Sequence, residues 1–128
     1  MTGTVKELIM FNDFSVNILG SEYKVYFVDE FPERLSEFAD NADGLYNRYN
    51  REIFIKRCQE KDITKEGRER CEKTTLRHEL IHAYLSESGL SANASCCYTS
   101  WADNEEMVDW LAIQSPKMFK TFQEVGCI

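Results

Sequence analysis

A chain of 128 residues with 43% apolar and 29% charged side chains has the composition of a globular protein, which excludes a disordered tail and leaves little room for a second lobe. The formal charge of −7 repels phosphate backbones, and the basic runs Lys56-Arg57 and Lys65 to Arg70 are diluted by acidic neighbours, so nucleic acid is not an expected partner. No apolar stretch reaches membrane-spanning length and MTGTVKELIMFNDF lacks the pattern of a cleavable leader; the expectation is one cytoplasmic domain over residues 1–128 with no membrane partner.

The first half of the chain alternates with the period of strands. SVNIL is followed by YKVYFVD, in which Tyr23, Val25 and Phe27 occupy one face and Lys24, Tyr26 and Val28 the other, and Gly20-Ser21-Glu22 reads as the turn of a hairpin. Beyond Phe31-Pro32, ERLSEFADN has helical spacing through Leu35 and Phe38, and NADG ends it with residues suited to turns. GLYNRYNREIFIKRC reads as a second hairpin with its turn near Asn47 to Asn50. In its strand REIFIK, Ile53 and Ile55 share one face and Glu52, Phe54 and Lys56 the other.

From about Thr64 the period becomes helical, with Leu76, Leu80, Ala83 and Tyr84 on one stripe and Gly89 as the stop. SANASCCYTS reads as a loop, and WADNEEMVDWLAIQSPKMFKTFQEVG as two helices separated near Ser115-Pro116. Strands first and helices after them predict an α+β fold. Cys58, Cys71, Cys96, Cys97 and Cys127 show no paired CxxC spacing. They are read as mostly reduced thiols, the adjacent Cys96 and Cys97 as small, partly buried apolar side chains rather than a redox or soft-metal site.

The chemistry concentrates in TTLRHELIHAYLSESG. His78 and His82, the only two histidines, project one turn apart from one helix face, so both imidazoles can bind one metal ion. Glu79 is displaced by about a quarter-turn, beside such an ion without being its ligand and placed to take a proton from water. This is an HExxH arrangement, His78-Glu79-Leu80-Ile81-His82. A catalytic zinc site holds three protein ligands and leaves a position for water. With no third histidine, a carboxylate must complete the set, and Asn104-Glu105-Glu106-Met107-Val108-Asp109 offers one on a helix starting 22 residues after His82. Glu105 and Asp109 share a face; the first can reach the metal while the second accepts the remaining ring N–H of a ligating histidine. Glu106 is the alternative ligand, at the loss of Asp109 as its i+4 partner.

His78-Glu79-x-x-His82 followed by Glu105-x-x-x-Asp109 resembles the gluzincin metallopeptidases. EEMVDWLA looks like the third-ligand helix of the CAAX-prenyl-protease-like family and is similar to that of the ImmA/IrrE-type peptidases of mobile elements and bacterial regulators. Val108 and Leu111 depart from the usual alanine and phenylalanine, and the likeness spans two helices. The resemblance implies a minimal zincin-like fold: a small antiparallel or mixed sheet, an active-site helix and C-terminal helices. It implies a zinc-dependent protease acting on a peptide or protein substrate, with regulation in a phage or mobile element as a biological setting. In this reading His78, His82 and Glu105 hold Zn2+, Asp109 orients a ligand and Glu79 is the general base.

An edge strand beside the active helix would pair with extended substrate, and REIFIK is either that edge or an interior strand. The oxyanion donor stays open among Arg77, Tyr46, Tyr49, Tyr84 and Tyr98. The alternative function is a non-catalytic metal-binding regulatory or interaction module; the presence of Glu79 favours the enzyme, because water activation needs that residue and metal binding does not.

Overall fold

A computed structural model describes residues 13–38, 41–93 and 100–128. The N-terminal segment and Cys96, Cys97 and Tyr98, discussed above, lie outside the described residues. Four strands, β1 (Phe14–Ile18), β2 (Ser21–Val28), β3 (Gly44–Asn47) and β4 (Glu52–Lys56), precede α1 (Lys65–Glu87), a short α2 (Leu90–Asn93) and α3 (Glu105–Glu124). The fold is α+β, as the order of periodicities predicts, and its sheet is small and mixed.

Each hairpin is built by its turn chemistry. Ile18 pairs with Ser21, so the first turn is Leu19-Gly20, with φ of 49° and 96°. Two successive positive φ values match the right-handed twist of the strands, and glycine carries no steric cost there. The turn falls one residue before the expected Gly20-Ser21-Glu22, because Ser21 and Glu22 belong to β2. In the second hairpin Asn47 Oδ1 accepts from the backbone N–H groups of Tyr49 and Asn50 at 3.0 and 3.2 Å, an Asx turn that returns the chain as expected.

The sheet order is β1-β2-β4-β3. β2 and β4 run parallel at its centre, while β1 with β2 and β3 with β4 are antiparallel. REIFIK is therefore interior: the edge beside α1 is β3, which corrects the reading of REIFIK as the edge strand that pairs with substrate and bears out the interior alternative. Its burial on both faces follows from this position. Val25 lies opposite Ile53 and Phe27 opposite Ile55, and these four side chains with Tyr23 form the core under α1 together with Leu76 and Ala83. Burying each large apolar side chain contributes about 1.5–3 kcal/mol. On the reverse face Phe54 stacks on Tyr26, ring centroids 5.2 Å apart, under the Arg34 guanidinium. Arg34 belongs to a 3-10 helix, Glu33–Phe38, formed where the sequence suggests a short helix.

Thr64 starts α1 by accepting from Gly67 N–H at 3.0 Å, and Gly89 at φ 89° ends it. Buried Glu72 accepts from Cys58 N–H at 3.1 Å, holding the strand exit to the helix. On the predicted apolar stripe Leu76 and Ala83 are buried and Leu80 is partly buried, but Tyr84 is exposed. The C-terminal region also differs from expectation. α3 is one helix that runs through Pro116 rather than two helices separated there, and Arg77 of α1 hydrogen-bonds the Ala112 carbonyl that the proline leaves without its helical donor.

Candidate metal centre

The middle of α1, the edge strand β3 and the first turns of α3 enclose a cleft of about 750 Å3. Helical spacing places His78 and His82 on the α1 face toward this cleft, and Asn104 places their carboxylate partner. Its side-chain oxygen caps α3 by accepting from Met107 N–H at 2.8 Å, so Glu105 begins the helix at the cleft mouth. The three chosen residues converge: His78 Nε2 and His82 Nε2 are 3.1 Å apart, and Glu105 carboxylate oxygens lie 3.0 Å from the first and 2.9 Å from the second. Glu106 does not line the cleft.

Asp109 takes the place the spacing predicts. Its Oδ1 lies 2.7 Å from His78 Nδ1. A carboxylate only accepts, so Nδ1 carries the proton, and in a neutral ring Nε2 then presents a lone pair to the cluster. Two imidazole nitrogens and a carboxylate within 4.8 Å of one another could hold a metal ion. In a tetrahedral zinc site with bonds of about 2.0–2.1 Å, neighbouring donors lie roughly 3.3 Å apart. The observed separations of 2.9–3.1 Å need only a slight expansion to match, and nitrogen and oxygen donors suit the ion; the residues fit zinc.

The electrostatics reflect crowding of acidic groups. Burial lowers the His78 pKa most among single influences, but Glu105, Glu79 and Asp109 outweigh it and raise the value overall. In the cationic form of His78, whose Nε2 also carries a proton, hydrogen bonds from it and then from His82 hold the exposed Glu105 carboxyl well below the usual range. Glu79 is pushed up to about 7, chiefly by burial, while the two histidines oppose the rise. Its Oε1 lies 3.9 Å from His78 Nε2, beside the donor cluster rather than within it.

β3 contributes two features absent from the sequence reading. Gly44 packs against Glu79 so closely that a Cβ added there would meet Thr75 Cγ2 at 2.8 Å, Glu79 Cγ at 2.9 Å and Glu79 Oε1 at 3.0 Å. Tyr46 lies parallel to His82, with ring centroids 5.1 Å apart and an interplanar angle of 5°. A glycine and a tyrosine two residues apart in a predicted strand share a face, which is the available signal, but no local pattern says that this face meets α1. Of the described oxyanion candidates, Tyr46 lines the cleft, whereas Tyr49, Tyr84 and Arg77 do not. Tyr49 accepts a hydrogen bond from Arg48, and Arg77 turns toward α3.

No known protein family, curated protein or solved structure matches this chain. Among the described residues, no helix is long and apolar enough to cross a membrane.

Proposed function

We propose that the protein is a gluzincin-type zinc metallopeptidase that hydrolyses peptide bonds in the cleft between β3 and α1. The observation that carries this reading is the convergence of His78, His82 and Glu105 with Glu79 beside them and Asp109 behind His78. A set serving only to hold a metal has no need of the glutamate beside it.

Zinc held by His78, His82 and Glu105 would supply Lewis-acid polarisation of a water molecule and the scissile carbonyl. Glu79 takes one proton from the attacking water at its carboxylate and delivers it to the leaving nitrogen as the C–N bond breaks, ending in its starting state. Asp109 holds the His78 ring and tautomer. Tyr46 covers the His82 ring. β3, the edge strand among the described residues, would offer backbone groups to an extended peptide, with α1 as the opposite wall.

Elemental analysis of purified protein should find near-stoichiometric zinc that disappears in His82→Ala; a folded, metal-free wild type would remove the proposed centre. Glu79→Gln should retain zinc and lose at least about 100-fold in cleavage of a peptide library. Unchanged cleavage would sink the mechanism, and zinc binding without cleavage in the wild type would favour the non-catalytic module.

A further inference from the structure

Pro116 lies inside α3 and has no N–H to give the carbonyl of Ala112, four residues earlier. Ala112 is only 1% exposed, where an unanswered carbonyl is costly and water cannot readily replace the missing donor. A donor arrives from the other helix: Arg77 Nε on α1 hydrogen-bonds Ala112 O, while Arg77 Nη2 donates to Thr74 Oγ1 at 3.2 Å. The guanidinium is thus held at both ends of its fork, one on its own helix and one on the backbone of α3.

Glu105, Asp109 and Ala112 recur at i, i+4 and i+7, so they lie along one stripe of α3. On the facing side of α1, Arg77 immediately precedes His78. A contact that sets Ala112 against Arg77 consequently sets the height and rotation at which Asp109 meets His78 Nδ1 and Glu105 meets both Nε2 atoms.

We propose that Pro116 and Arg77 form a docking pair: the proline opens a backbone acceptor in α3, and the arginine occupies it, fixing the register that brings Glu105 and Asp109 to the histidines. Arg77 is a positioning residue that acts through α3. The predicted effect on zinc rests on the proposed metal centre; the docking contact itself does not.

The test is a double-mutant cycle with Arg77→Met, Pro116→Ala and their combination in the full chain. Zinc affinity is read by chelator competition, and the melting temperature of the chelator-treated protein by circular dichroism. Arg77→Met alone should weaken zinc roughly 10-fold and lower the metal-free melting temperature by roughly 4 °C. Pro116→Ala restores an N–H for Ala112, so in that background Arg77→Met should change zinc affinity by less than about twofold and leave the melting temperature nearly unchanged. Equal effects of Arg77→Met in both backgrounds would overturn the docking pair.

If Arg77→Met alone does not fold, recovery of folding in the double variant supports the pair and failure to recover overturns it. If the wild type takes up no zinc, the proposed function falls, while coupling in the metal-free melts still decides the docking pair.

Discussion

Helix α1 carries two polar clusters that differ in what faces their carboxylates. At its C-terminal end Glu87 accepts from Ser21 Oγ at 2.9 Å, Tyr23 OH at 2.8 Å and Arg51 Nε at 3.1 Å, so one acid meets three donors from the sheet side. About two turns towards the N-terminus, Glu79, Glu105 and Asp109 crowd two imidazoles whose nitrogens can supply few protons. The first cluster is satisfied and ties helix to sheet. The second is rich in acceptors and opens on a cleft, and its His78, His82 and Glu105 could hold a metal ion. Buried polar groups stabilise a fold when their donors and acceptors balance, as they do around Glu87.

Substitutions at the two clusters test this contrast. The largest expected effect is loss of the zinc set in His82→Ala, with no corresponding change in metal content for Glu87→Gln. Next, Gly44→Ala forces β3 or Glu79 to shift because its methyl group has no room. Peptide cleavage should fall about 100-fold while zinc remains bound, since a displacement near 1 Å at a reacting group costs about that much; normal cleavage would show that the approach of β3 is not required. Asp109→Ala should weaken zinc roughly 10-fold by releasing His78 Nδ1, measurable by chelator competition. Glu87→Ala should leave zinc affinity unchanged but destabilise the fold by about 1–2 kcal/mol, read by urea unfolding, because the hydroxyl of buried Tyr23 loses its acceptor.

The satisfied cluster also has a pH signature with a definite sign. Hydrogen bonds from Ser21, Tyr23 and Arg51 lower the Glu87 pKa. Its contribution is present above the ordinary carboxylate range and is lost as pH falls through the depressed folded value. The stability difference between wild type and Glu87→Gln should therefore shrink on acidification. Tyr23 has the opposite direction: burial first, then Glu87, pushes it from 10.0 up to about 12. Its contribution is present below 10 and declines as pH rises towards 12.

The arrangement of the candidate donors was legible wherever a helix alone sets the geometry. The spacing of His78, Glu79 and His82 and the four-residue step from Glu105 to Asp109 each follow from 3.6 residues per turn, a local property of the backbone. The structure brings Glu105, rather than Glu106, to both histidines. The strand faces were also legible: Tyr23, Val25 and Phe27 alternate into the core, as do Ile53 and Ile55. Lateral strand order was not, because REIFIK reads alike at an edge and in the interior; the parallel contact with β2 makes it interior and leaves β3 beside the cleft.

Pro116 illustrates the same division. Proline predicts a helix boundary from local sterics and the missing N–H, and nothing near it in sequence offers a remedy. The remedy is Arg77, 39 residues away on another helix. Which helical and strand faces carry the core and the candidate donors is readable from the residues alone, since periods of a few residues set it. Tertiary structure alone decided which edge of the sheet borders them, how closely Gly44 and Tyr46 approach, and why α3 survives its proline, because each depends on contacts between segments whose separation no local period encodes.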